Sequence, residues 1–253
     1  EALQQAGKVA LLINTDRSDG SVERALRQAI SYRTEAAIFL SGMPAQSLAE
    51  ACQRNGMRLV LINREWGHPG SLLVRLADAE AGRHAVAVLL AAGCQRLALA
   101  SSQANTPSLL ERERGFREAA TDAGIDWIED RIGPTSYETG LQLGMSLLTR
   151  ADRPDGVFCT ADRLACGLMD AARWRLGITV PDQLSVIGFD DIPQAAWEGY
   201  ALTTFRQPID QIAAQSVAWL QSGAPADSMT ELHLNAQLTM RRSVRQGFAP
   251  APR

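Results

Sequence analysis

Along the chain, short and predominantly apolar runs alternate with longer stretches whose apolar residues recur at helical spacing. The short runs cover residues 9–13, 36–40, 58–62, 72–76, 96–100, 156–159, 184–189 and 202–205. Apolar on both faces and only a few residues long, they predict strands buried inside parallel sheets. Helical spacing falls at Val22, Leu26 and Ile30, at Leu48 and Cys52, over 79–92 up to Gly93, over 109–123 and 138–149, from Asp162 to Gly177, and over 209–220. Residues 1–7 read as the tail of a helix closed by a glycine. Strand and helix in alternation imply parallel sheets covered on both faces, and no short repeat period points to a solenoid.

One stretch carries more than pattern. Val180, Pro181 and Asp182 make a turn before the run that ends at Phe189, and two carboxylates follow at once, Asp190 and Asp191. Open α/β sheets bind their ligands at the carboxyl ends of such strands. Either Asp190 is a ligand-binding carboxylate, or one of the pair caps the next helical turn. Two in succession leave one to face a crevice.

Taken in order, Val180-Pro181-Asp182, the run from Ser185 to Asp191, Leu202-Thr203-Thr204 and Gln207-Pro208 resemble the signature of the lactose-repressor (LacI/GalR) family of bacterial transcription regulators. The resemblance is to the effector-binding part and runs to about Gly247. It implies an α/β fold of two Rossmann-like lobes with parallel sheets, joined by three crossover strands, in the type I periplasmic-binding-protein-like arrangement. On that plan residues 1–101 with 207–237 form the N-terminal lobe, 102–206 with 238–247 the C-terminal lobe, and 248–253 a loose tail. The polar run 101–105 is then the first crossing. The family also has another strand and a helix-turn-helix head before the point where this chain begins, so the chain reads as a fragment whose first lobe lacks one strand.

The same resemblance nominates effector contacts. It places an arginine three residues before the pair Gly115-Phe116, which is Arg112, a rigid multi-donor fork suited to paired ligand oxygens. On its residues alone, Arg112 reads instead as a solvated helix arginine paired with Glu111 or Glu113. Asp190 is the matching acceptor, and Gln207 belongs to the same signature. The segment from Asp78 to Arg83 matches a ligand-contacting turn whose family Asp falls one position early, at Ala77, so that Asp78 or Glu80 substitutes. Thr160-Ala161-Asp162 matches an Asn-Asp step with the Asn replaced, leaving Asp162 as a ligand contact or a helix cap. Trp197 either stacks on a sugar face or fills core.

Composition narrows the functional classes. The 253 residues are 46% hydrophobic, ample for two modest cores, and a net charge of -3 offers no basic stripe for phosphates. Cys52, Cys94, Cys159 and Cys166 lie in or beside apolar runs with no C-x-x-C pair, which fits buried free thiols and a reducing cytoplasm. No apolar run reaches the ~18 residues of a membrane span. Phosphate-loop, zinc-protease and nucleophile-elbow motifs are absent, and His68, His84 and His233 are too scattered for a metal cage or a triad.

The expected protein is therefore a sensor and not an enzyme, with no cofactor or metal. It binds a small polar effector, a sugar first and a nucleobase next, between its lobes. Operator DNA is reached only through a head outside this chain, and no membrane is involved. A homodimer is expected, with Leu26 and Ile30 on a face for a partner to cover. Asp190 and Arg112 are expected to serve binding, their loss changing stability little. A soluble substrate-binding protein of a sugar transport system, which shares the fold, is the alternative.

Overall fold

The computed structural model describes residues 1–15, 19–40, 46–64, 66–223 and 228–246. The chain divides into two units: residues 1–76 with 208–234, and residues 77–207 with those from 235 onward. It passes between them three times, at 76/77, 207/208 and 234/235.

The first unit holds a four-stranded parallel sheet in the order β1 (Ala36–Phe39), β2 (Arg58–Ile62), β3 (Ser71–Leu76) and, at the far edge, Thr230–Leu234, the ninth strand of the chain. Its helices are α1 (Ala2–Gln5), α2 (Asp19–Ser31), α3 (Gln46–Arg54) and Ile209–Gln221, the eighth and last. Leu26 and Val22 are buried against Phe39, Leu59 and Leu73, with Ile30 packed beside them. The face expected to await a partner is thus turned into this unit's own core.

Residues 9–13, expected as a buried strand, form none. Val9 is 97% and Leu12 80% exposed, and no ladder pairs this stretch among the described residues. An apolar run becomes a strand only where a neighbouring backbone takes its hydrogen bonds.

The second unit is built on six strands in the order β10, β8, β7, β6, β4, β5. These are β4 (Arg96–Ser101), β5 (Asp126–Arg131), β6 (Gly156–Cys159), β7 (Ser185–Asp190), β8 (Thr203–Arg206) and β10 (Gln237–Thr239). All pairings are parallel except β10 on β8, so the sheet is mixed at one edge. β6 is buried along its whole length and β7 up to Phe189, as continuous apolar runs covered on both faces should be. The helices are α4 (Asp78–Ala91), α5 (Pro107–Asp122), α6 (Tyr137–Leu148) and α7 (Asp162–Asp170). The stretch expected to run as one helix from Asp162 to Gly177 changes to a π-helical turn over Ala171–Arg175.

The division between units falls at 76/77, where the sequence suggested 101/102. β4 is hydrogen-bonded on both sides within the second sheet, to β5 and β6, and α4 packs on α5. The polar run after β4 is therefore a loop into α5 and no crossing. β5, of sequence DWIEDR, escaped the sequence reading because an edge strand need not be apolar on both faces. The four cysteines are free and buried. The tail at 248–253 lies outside the described residues.

Candidate functional site

The carboxyl edge of the second unit's sheet collects the chemistry. Ser101 ends β4, Thr160 follows β6, Asp190 ends β7 and Gln207 follows β8. From β4 the chain runs outward to β5, then returns past it to β6 and on to β7 and β8. The order therefore reverses between β4 and β6, and the crevice outside such a switch point is where α/β sheets accept ligands.

Helix packing brings in the other two groups. At Gly82 of α4 an added Cβ would lie 2.2 Å from the Arg112 carbonyl oxygen, and at Gly115 of α5 it would lie 1.9 Å from that of Ala79. Only glycine allows so close a backbone approach. It sets Asp78, in the first turn of α4, against Arg112 of α5.

Arg112 Nε donates to Asp78 Oδ1 at 2.7 Å and Nη1 to the Thr160 carbonyl at 2.9 Å. Its guanidinium carbon lies 3.4 Å from the centre of the Phe189 ring. Both partners of the ion pair are buried, so Arg112 is not the solvated helix arginine its neighbours allowed. Among the described residues two of its five donors are engaged, and the planar group is fixed by an acceptor on each of two sides and a ring on its face.

Asp190 accepts from Gln207 Nε2 at 2.6 Å. Burial pushes its carboxyl up from the ordinary range, against the opposing pull of Arg112, the Gln207 amide and Arg163. Asp78 is likewise pushed up by burial, opposed by Arg112 and Ser108 and reinforced by the Asp190 charge. Arg112 thus pairs with Asp78 and its charge also opposes the rise of Asp190. The backbone at Asp190 has φ 120° and at Asp191 φ 53°, a strained pair of the kind that gathers at functional sites.

The alternatives for Asp190 and Asp191 separate cleanly. Asp191 accepts from Arg206 Nε at 2.5 Å and Arg241 Nη2 at 2.6 Å. Burial alone would raise its carboxyl, but those arginines hold it below the usual range. It fastens the loop, while Asp190 turns to Gln207. The turn after Asp191 is held by Asp162, which accepts from Ile192 N at 2.9 Å and from Thr204 Oγ1 at 2.6 Å. At Gly188 an added Cβ would come within 2.1 Å of Asp162 Oδ1, so β7 lies hard against this carboxyl. Burial pushes Asp162 up to about 6, opposed by its two hydrogen bonds and reinforced by Asp190 and Asp191. Asp162 is a buried brace beneath the Asp190 loop.

Of the seven residues nominated from sequence, Asp78, Arg112, Asp190 and Gln207 come together, with Asp162 below them. Glu80 does not join them: it is exposed and pairs with Arg83 at 2.6 Å. The choice between Asp78 and Glu80 falls to Asp78, since only the helix position facing α5 meets Arg112. Trp197 is 57% exposed, so it fills no core. Sequence reasoning missed the Phe189 ring and the Thr160 carbonyl. The ring sits one residue before Asp190, but nothing local says that an arginine will lie over it. Among the described residues no group of His, Cys, Asp and Glu is placed to hold a metal ion, and no helix is long and apolar enough to cross a membrane.

Comparison with known proteins gives a consistent picture. Residues 86–244 match the family described as "Periplasmic binding protein-like domain". The HTH-type transcriptional repressor PurR of Photobacterium profundum is 26% identical over 97% of this chain and 75% of its own length. The HTH-type transcriptional regulator DegA of Bacillus subtilis is 30% identical over 85% of this chain, which spans 65% of DegA. Among solved structures, a LacI family transcriptional regulator from Enterococcus faecium with bound ribose superposes with a TM-score of 0.83 at 25% identity, covering 96% of this chain and 90% of that one.

Proposed function

From the premise that this chain belongs to the periplasmic binding protein-like domain family, among the regulators of the LacI type, we propose that it is the effector-binding part of a transcription regulator, responding to a small polar metabolite. The carrying observation is the constellation at the carboxyl edge of the second unit's sheet: Arg112 fixed by Asp78, Thr160 and Phe189, next to a strained Asp190 bonded to Gln207.

Two carboxyl groups and an amide offer acceptors to hydroxyl hydrogens, while the remaining guanidinium donors offer N–H groups to hydroxyl or ring oxygens. A sugar carries both kinds of atom on neighbouring carbons. Ribose, bound in the Enterococcus faecium regulator, is accordingly the first candidate. In this reading the effector shifts the protein between states only through a difference in its affinity for them. Control of operator DNA through a helix-turn-helix head, a homodimeric assembly, a cytoplasmic location and the lack of enzymatic turnover belong to the same proposal.

A thermal-shift panel of ribose, other pentoses and hexoses, sugar acids and nucleobases tests it. An effector at ~100 times its Kd adds about 2.7 kcal/mol of stability. Stabilisation by one class, abolished in Asp190→Ala, is the expected result. A panel in which every member stabilises wild type and Asp190→Ala equally overturns the site.

A further inference from the structure

Directly after Arg112 in the chain stands Glu113, a carboxylate with no exposed surface on the helix α5. Its Oε1 accepts from Ser101 Oγ at 2.6 Å. Its Oε2 lies 3.0 Å from Arg117 Nη2, and Arg131 Nε approaches Oε1 at 3.1 Å. Buried carboxylates without partners are costly, and this one accepts from a hydroxyl and the Arg117 guanidinium with the Arg131 charge beside it.

The hydroxyl leads back to the site. Ser101 Oγ and Thr160 Oγ1 are 3.0 Å apart. Since the single Ser101 hydroxyl proton goes to Glu113, the proton between the two hydroxyls must come from Thr160. The line therefore has a direction: Thr160 donates to Ser101, Ser101 donates to Glu113, and the Thr160 carbonyl accepts from Arg112. Ser101 also ends β4 and Thr160 directly follows β6, on either side of the switch point. One buried carboxylate thus ties down both the backbone beside Arg112 and the carbonyl on which its Nη1 rests.

We propose that Glu113 is the positioning residue of the effector site, holding Arg112 in its donor orientation through Ser101 and Thr160. The proposal rests on the reading of Arg112 as an effector contact, and its test uses no effector, so that the two can fail separately.

The readout is hydrogen exchange of the Arg112 Nη1 protons, which rest on the Thr160 carbonyl, by nuclear magnetic resonance on the whole chain, in wild type, Glu113→Gln and Ser101→Ala. Glu113→Gln keeps the shape and removes the charge. Ser101→Ala cuts the line while leaving the ion pairs to Arg117 and Arg131, and it keeps the test open if the first variant folds poorly. The expected result in a folded variant is exchange of the Arg112 Nη1 protons about 10-fold faster or more, the scale of one lost charge-assisted hydrogen bond. The amides of Phe158 and Ile187, in the central strands, should keep wild-type protection. Unchanged Arg112 exchange in Ser101→Ala overturns the proposal. So does acceleration shared equally by the two core amides, which is the mark of a structural carboxylate alone.

Discussion

At the scale of single residues, the two charges expected to act as a pair in binding have different standing. Arg112 is buried, holds Asp78 and stacks on Phe189, so removing it strands a buried carboxylate. Breaking a buried pair costs about 3–5 kcal/mol, and Arg112→Ala should lower the melting temperature markedly as well as abolish effector binding. The expectation of little change in stability therefore fails for Arg112. For Asp190, whose backbone is strained at φ 120° and whose carboxyl is pushed up by burial, that expectation stands as our prediction. Asp190→Ala should keep or gain stability while weakening effector affinity roughly 10- to 100-fold, as calorimetric titration and thermal melts of the variant can show. Asp162 carries a pH signature. With its folded value near 6 and its unfolded value near the ordinary 3.8, the folded state holds the proton more tightly. Its contribution is fully favourable below the unfolded value and is lost as pH rises to about 6. In Asp162→Asn the Ile192 N–H can still meet the amide oxygen, and the Thr204 hydroxyl can turn to accept from the amide nitrogen. Urea melts of this variant against wild type should show its relative stability rising between about pH 4 and 6, by up to about 3 kcal/mol. A flat difference across that window removes Asp162 as the titrating group.

At the scale of elements, the contact between α4 and α5 decides whether the site exists. Neither helix end has a side-chain cap to fix it, and the interface is set by glycine on each side. A methyl at Gly82 or Gly115 collides with backbone, which has no rotamer to change. Gly82→Ala and Gly115→Ala should each destabilise by about 1–3 kcal/mol or more and weaken effector binding along with it, because Asp78 is carried away from Arg112. Gly199→Ala, where an added Cβ meets nothing within 4 Å, is the control and should stay within about 0.5 kcal/mol of wild type. Chemical denaturation of the three variants separates a packing requirement from a general intolerance of alanine.

At the scale of the whole molecule, the proposed homodimer finds no support in Leu26 and Ile30, which pack inside the first unit. Light scattering at micromolar concentration should nonetheless return twice the chain mass, and a monomer mass would remove the dimer from the proposal. With a net charge of -3, this chain alone should give no sequence-dependent gel shift on DNA at low salt. Much of the architecture was legible in the residues themselves. The runs 58–62, 96–100, 156–159 and 184–189 fall on strands with buried centres, and Asp190 ends β7, because strands covered on both faces must be largely apolar and the polar residues at their ends mark the edge. The sequence could not show that residues 9–13 form no ladder among the described residues, that Asp126–Arg131 is a strand or that the first passage between units comes at 76/77, since each depends on which backbone lies alongside. Within the site, local pattern determined the paired carboxylates after a strand, while Arg112 was nominated by the family resemblance and not by its own neighbours. Tertiary structure alone decided that Asp78 and not Glu80 meets Arg112, that Asp191 and Asp162 are braces, and that Glu113 is buried against Ser101, Arg117 and Arg131. Those choices follow from helix packing at Gly82 and Gly115 and from strand order, interactions between residues far apart in sequence that no local pattern encodes.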